Sequence, residues 1–470
     1  MSTTVIDLRG RDLSITPPVE WQQLPFPQML TKLFGSSLPA TIQTTIVQDK
    51  RSHFLRIQPF HFTAIKRALQ EQQIPFTVAF SERPALPYPT TLALAPRPYQ
   101  QEALTNWIAE GSTGVVILPT GAGKTFVAAM AIHETELWTL AVVPTIDLLQ
   151  QWRVALASAL SLSTENIGIF GGGEKEVKPI TIITYDSAAL YPRELRHFGL
   201  LIFDECHHLP APTYRLIAES AFTPLRLGLS ATPERSDMAH EDLEELIGPE
   251  VYRRSPSELM EGRYLAQYQE ERIDITLSDE DEVRYAEQRQ IYRSFLKRRH
   301  IIIRTPEDFQ QKLIYMSARD PEARAAMLAW REARNIALNA PAKYQAIAEI
   351  LRRHAHDQVI LFSEYNFVVD EISRRFCLPS ITYKTPSEER RIILDRFRSG
   401  AYTKLVTGRV LNEGVDVPDC RVAIIVSGNS TKREYIQRLG RILRPKAGQA
   451  HLYELISSGT TEEEMAKRRK

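Results

Sequence analysis

The stretch Leu118-Pro-Thr-Gly-Ala-Gly-Lys-Thr125 decides the fold. An apolar run, Val115 to Leu118, leads into it, and the segment Phe126 to His133 leaves it with helical character. A glycine-rich turn between a buried strand and a helix is the setting in which backbone N–H groups and a helix N-terminus hold phosphate. Pro119, Thr120, Gly121, Ala122 and Gly123 form the turn. Lys124 is placed to reach the β- and γ-phosphates, and the Thr125 hydroxyl to ligate Mg²⁺. The strict pattern opens with glycine, where this chain has Leu118.

About eighty residues on, Leu200-Leu-Ile-Phe203 ends in Asp204-Glu205, an apolar strand that delivers two acids at its tip. Asp204 suits a magnesium shell, and Glu205 suits a base that polarises the attacking water. His207 and His208 follow with no Cys or carboxylate at zinc-ligand spacing, so a hydrogen-bonding role beside phosphate is expected of them. Further on, Gln437-Arg-Leu-Gly-Arg441-Ile-Leu-Arg444 places Arg438, Arg441 and Arg444 on one helical face. Such a face can supply arginine fingers to a polyphosphate.

Around these segments, short apolar runs alternate with helical stretches, at 115–118, 140–143, 180–183, 200–203 and 225–229. The same rhythm returns at 359–362, 405–407, 422–426 and 452–456. Both series predict parallel sheets built from βαβ units, hence two α/β lobes. Residues 278–340 contain no convincing buried strand and predict a helical insertion, opened by Ser278-Asp-Glu-Asp281 as a capped start. Before the first lobe, Ile42 to Ile46 and His53 to Ile57 read as strands, Phe62 to Leu69 as a helix and Ile74 to Phe80 as a strand. These make a small α+β domain. Five prolines between 84 and 98 then suit a stiff linker. The expected domains are 1–85, 86–250 and 251–470, with the insertion inside the last.

Across 470 residues, 58 Lys and Arg stand against 57 Asp and Glu, which disfavours a globally basic nucleic-acid coat and an acidic tail alike. Three scattered cysteines exclude a zinc ribbon and a disulfide framework. No apolar run approaches the roughly 18 residues of a membrane span, and Asp7, Arg9 and Arg11 interrupt any signal-peptide core. A cytoplasmic protein with no membrane attachment is expected, nucleoid-associated if prokaryotic.

Taken in order, the segments resemble a superfamily 2 helicase motor with two RecA-like lobes. Arg97-Pro-Tyr-Gln100 resembles the adenine-reading segment, 119–125 motif I, and Val143 to Trp152 motif Ia. Ile183 to Ser187 resembles the next nucleic-acid segment; Asp204 to His208 is similar to motif II and Ser230-Ala-Thr232 to motif III. Leu361 to Glu364 is similar to motif IV, Asn412-Glu-Gly-Val-Asp416 to motif V, and the arginine-rich segment to motif VI. Within that superfamily the chain resembles the XPB-like branch, with its leading small domain and a helical insertion where that branch carries a thumb-like element. The branch's Arg-Glu-Asp signature has as its nearest counterpart Arg235-Ser236-Asp237, without the middle acid.

The resemblance implies ATP and Mg²⁺ as cofactors and DNA, single-stranded, forked or duplex, as the polymer. It assigns nucleotide contacts to Arg97, Gln100, residues 119–125, Gly414, Asp416, Gln437 and Arg438, with Lys124, Glu205, Arg441 and Arg444 catalytic. Thr145, Thr184 and Thr407 fall at strand ends suited to gripping a phosphate backbone, and His208, Ser230 and Thr232 would couple the two activities. Lys297 to His300 is a second basic candidate. The branch also implies 3′-to-5′ movement and, in short members, a nuclease partner. The alternatives are an RNA helicase or restriction-type translocase, a nucleotide-gated nucleic-acid scaffold with little unwinding, and a P-loop metabolite kinase, which the motif VI arginines disfavour.

Overall fold

A computed structural model describes residues 3–9, 12–49, 54–80, 84–192, 198–232, 238–262, 264, 268–303, 306–408, 420–427 and 450–469. The motif V and motif VI residues, Gly414, Asp416, Gln437, Arg438, Arg441 and Arg444, lie outside these, as does Arg235-Ser236-Asp237. The chain divides into two compact units, Met1–Leu259 and Met260–Lys470.

The first unit begins with a hairpin that the sequence reading did not anticipate. Thr4–Arg9 pairs antiparallel with Asp12–Thr16, and Phe76–Val78 adds in parallel on its other side. Leu55–Ile57 and Val47–Gln48 complete a five-stranded sheet, under which the helices Phe26–Phe34 and Phe62–Glu71 bury Leu33, Phe34, Ile65 and Leu69. The strand expected over 42–46 is instead a turn of helix, Ala40–Gln43. The Thr44 and Thr45 hydroxyls each donate at 2.8 Å to the carbonyls of Thr41 and Ile42. That local bonding competes with any strand ladder. Phe222, from the following domain, is buried in this core, stacked edge-on to Phe62 and Phe80.

The proline segment has no regular structure beyond an isolated bridge, yet it is no free spacer. Pro84 accepts from Trp138 N–H at 2.7 Å, Leu86 N–H donates to Glu136 at 2.7 Å, and Ala93 N–H to Ala159 at 2.9 Å. It is strapped along the next domain.

That domain is an eight-stranded sheet in the order Glu250–Arg253, Thr113–Ile117, Leu225–Ser230, Leu200–Asp204, Thr139–Val143, Ile180–Thr184, Ile167–Gly171, Glu174–Lys175. All pairs are parallel except the last. The five anticipated strands form its centre. They are apolar throughout because both faces are covered by helices. The sheet also runs past the boundary expected at residue 250, because Glu250–Arg253 extends its ladder beside Thr113–Ile117.

The second unit carries a parallel six-stranded sheet, Tyr268–Ile275, Ala450–Ser457, Val422–Ser427, Val359–Ser363, Lys404–Thr407, Ser380–Ile381. The anticipated insertion is helical, led by Asp279–Arg298 and Pro321–Leu338, and Ser278 Oγ caps the first by accepting from Asp281 N–H at 3.2 Å. It holds a small core of its own from Tyr292, Phe295, Leu313, Ala323 and Ala326. Lys343 is fully buried and ion-paired to Glu462 at 2.7 Å, and also donates to the Val426 carbonyl at 3.0 Å. No described helix is long and apolar enough to cross a membrane.

Candidate active site

The strand register of the first unit gathers the site. Asp204 pairs with Leu229, and Ser230 with Ile117, so the loop, the acids and motif III leave neighbouring strands at the same carboxyl edge. Leu118 is buried and donates its N–H to the Ser230 carbonyl at 3.0 Å. It prolongs the strand, which is why a side chain is accepted where the strict pattern has glycine.

Gly121 and Gly123 sit at φ +85° and +83°, a region that costs other residues energy. At Gly123 a second constraint applies, since a Cβ there would lie 2.6 Å from Gln100 Nε2. Gln100 is buried and donates to the Ala122 carbonyl at 3.1 Å, while accepting from Arg97 N–H at 3.0 Å. Tyr99 Oη donates to the same carbonyl at 2.6 Å, and Arg97 donates to Tyr99 Oη at 3.1 Å. The Arg97–Gln100 segment is thus bonded directly to the glycine-rich loop. Lys124 opens the helix Lys124–Thr135, with Thr125 in its first turn. The Thr120 hydroxyl is shielded from solvent and has no hydrogen-bond partner among the described residues.

Lys124 Nζ stands 3.0 Å from Glu205 Oε1. Glu205 has φ +46°, a left-handed conformation unusual for a residue with a side chain, and strain of this kind gathers at functional sites. The turn swings Glu205 away from the strand axis while Asp204 stays buried at its tip. Burial, with the Glu205 charge beside it, pushes the Asp204 carboxyl up to about 7, against the pull of Lys124 and of a hydrogen bond from Trp152. A divalent cation would reverse that preference and hold the ionised form. Hydroxyl and carboxylate oxygens at Thr125 and Asp204 suit a hard cation. Among the described residues no three His, Cys, Asp or Glu side chains cluster as a metal cage. A magnesium ion held by these two would also be shared with nucleotide phosphate, its usual preference.

His207 Nδ1 lies 3.2 Å from Ser230 Oγ and 3.4 Å from Glu205 Oε2. Ser230 Oγ also donates to Glu205 Oε2 at 3.4 Å and accepts from Thr232 N–H at 3.1 Å. His208 packs against the His207 ring at 4.3 Å and the Tyr185 ring at 5.8 Å.

Of the threonines expected at nucleic acid, Thr145 begins the helix Ile146–Ala159 without a capping bond from its side chain. The Thr184 hydroxyl caps Tyr185–Leu190, accepting from Ser187 N–H at 3.2 Å. Thr407 is fully buried and donates to the Gly408 carbonyl at 3.1 Å. In the insertion, Arg299 is paired with Asp320 at 2.9 Å and Glu322 at 3.4 Å, which leaves the Lys297 to His300 patch partly neutralised. Trp152, Tyr185 and Tyr99 were given no role from sequence, although all three lie inside the quoted segments; nothing in a linear motif shows which buried aromatic bonds to which acid.

A parallel sheet carrying a phosphate loop, an acid pair and a Ser-Ala-Thr segment on adjacent strand tips is the architecture of a superfamily 2 motor. The fold resembles the Pyrococcus furiosus Hef helicase domain, with a TM-score of 0.56 and 19% identity over 79% of this chain and 97% of that one. Residues 93–235 match the family of type III restriction enzyme res subunits, and residues 324–470 the ERCC3/RAD25/XPB C-terminal helicase family. The chain is 44% identical to DNA 3′-5′ translocase XPB2 of Sulfurisphaera tokodaii, over 80% of its own length and 84% of the relative's. It is 32% identical to DNA 3′-5′ helicase XPB of Kineococcus radiotolerans over 79% of its length, spanning 62% of that longer protein. The yeast helicase/translocase subunit XPB/SSL2 of general transcription and DNA repair factor IIH is 26% identical over 78% of this chain. The chain belongs to the XPB family of DNA helicases and translocases.

Proposed function

We propose that this protein is an ATP-driven DNA translocase that opens or moves along DNA in the 3′-to-5′ sense, in repair or transcription-linked processes. Use of ATP follows from membership of the family. The observation that carries the site assignment is the Lys124–Glu205 ion pair at the strand tips, beside a buried Asp204. Lys124 would exchange the Glu205 carboxylate for the γ-phosphate, and Glu205, released from the lysine and held by Ser230 and His207, would orient the attacking water. Thr125 and Asp204 would hold Mg²⁺, which when bound neutralises charge building on the phosphates. Gln100 and Arg97 would meet the base. Arg441 and Arg444 would act as fingers, with Gly414, Asp416, Gln437 and Arg438 contributing nucleotide contacts from the same lobe. Thr145 and Thr184 would face the DNA backbone. A cytoplasmic location and a nuclease partner complete the reading.

A strand-displacement assay on forked DNA with a recessed 3′ or 5′ tail tests it. ATP-dependent displacement confined to substrates offering a 3′ tail supports the motor; ATP turnover with no displacement or translocation on any fork would make the protein a nucleotide-gated scaffold.

A further inference from the structure

Asp204 is held from two directions by buried aromatic donors. Trp152 Nε1 donates to Asp204 Oδ2 at 3.1 Å, and Tyr185 Oη donates to the Asp204 backbone carbonyl at 3.0 Å. Both side chains are almost fully buried. The two donors come from different helices, Ile146–Ala159 and Tyr185–Leu190, which begin directly after Thr145 and Thr184. Trp152, along the helix that follows Thr145, reaches the Asp204 carboxylate, and Tyr185, adjacent to Thr184, reaches its backbone.

The first turns of both helices also approach Gly171. Gly171, at φ +148°, lies between them, and a Cβ there would come within 3.1 Å of Leu149 Cδ1 and 3.3 Å of both Ser187 Oγ and Thr184 Oγ1. A side chain at residue 171 would press on both first turns at once. Asp204 is thus held at one carboxylate oxygen by Trp152 and at its own backbone carbonyl by Tyr185.

We propose that Trp152 and Tyr185 are positioning residues that tie DNA engagement at Thr145 and Thr184 to the orientation of Asp204, so that polymer binding tunes the affinity for metal-bound nucleotide. This route lies wholly within the first unit and is separate from the Ser230–Glu205 contact of motif III. It rests on the functional reading above.

Thermodynamic linkage gives a test that does not depend on turnover. The affinity of the full-length protein for a fluorescent, non-hydrolysable ATP analogue with Mg²⁺ is measured with and without saturating forked DNA. The reciprocal experiment measures DNA affinity with and without the analogue; the two ratios must agree. A wild-type ratio of about 5- to 150-fold is expected for coupled sites. Trp152→Phe and Tyr185→Phe, each removing one donor while keeping an aromatic ring, should bring the ratio towards one. Trp107→Phe is the control, because it removes a buried indole bond to the Arg226 carbonyl, 2.9 Å, that does not touch Asp204. It should keep the wild-type ratio. Both Asp204-linked variants retaining the wild-type ratio would overturn the proposal, as would an equal loss in Trp107→Phe, which would mean general loosening. A wild-type protein that binds neither analogue nor DNA would instead refute the functional reading itself.

Discussion

Lys124 Nζ and Glu205 Oε1 lie 3.0 Å apart although 81 residues separate them in sequence. The parallel ladder between Thr113–Ile117, Leu225–Ser230 and Leu200–Asp204 brings them together. On the proposed reading, their pairing joins the cation that would hold phosphate to the base that would orient water. Glu205→Gln should therefore keep ATP affinity within a few-fold while lowering turnover by roughly 10²–10⁴. Lys124→Ala should abolish hydrolysis, since the γ-phosphate loses the loop's cation. Single-turnover hydrolysis beside equilibrium nucleotide binding checks both. Parallel loss of binding and turnover in Glu205→Gln would mark Glu205 as a metal ligand.

Gly123→Ala should be destabilising and weaken ATP binding together. The left-handed backbone costs about 1–2 kcal/mol for a residue with a Cβ, and the new methyl would displace the Gln100 amide, 2.6 Å away. Denaturant unfolding and nucleotide titration of the same variant measure the two effects.

Lys343→Met should destabilise the second unit by about 3–5 kcal/mol, because it strands Glu462 as a buried charge. The double variant Lys343→Met with Glu462→Leu should recover much of that loss. Unfolding followed by a probe in the second unit reads the difference; a neutral single variant would mean that the pair is solvated.

The stability of the first unit should depend on pH through His61. It lies half-buried in a cleft of about 590 Å³ between the small domain and the first lobe. Burial lowers its pKa below the ordinary 6.5, with Glu245 and Glu219 opposing. The folded state then binds the proton less readily than the unfolded chain, so stability is full above about 6.5 and falls as pH drops below it. Thermal unfolding from pH 7.5 to 5.5 should show this loss, and His61→Gln should flatten it.

Much of this was legible in the sequence for a definite reason. Strands such as Leu200–Asp204 are buried on both faces and read as unbroken apolar runs. The opening hairpin escaped notice because Asp7, Arg9 and Asp12 interrupt its apolar residues, and its pairing to Phe76–Val78 is long-range. Tyr268–Ile275 was hidden likewise, since Gln269, Glu270, Glu271 and Arg272 make an edge strand look like a surface segment. At the site, the loop and acids were found by their residue types. The contact of Trp152 with Asp204 was not legible, because it depends on a bond spanning 52 residues.

The central claim is that ATP hydrolysis at this site is driven by DNA. The measurement is steady-state ATP turnover with single-stranded, forked and duplex DNA and with RNA in parallel, for the wild type and for Arg441→Ala. DNA should raise wild-type turnover well above both the polymer-free and the RNA rates, and Arg441→Ala should lose most of that stimulated rate while still binding nucleotide. Turnover indifferent to every polymer, or stimulated by RNA alone, would contradict the account.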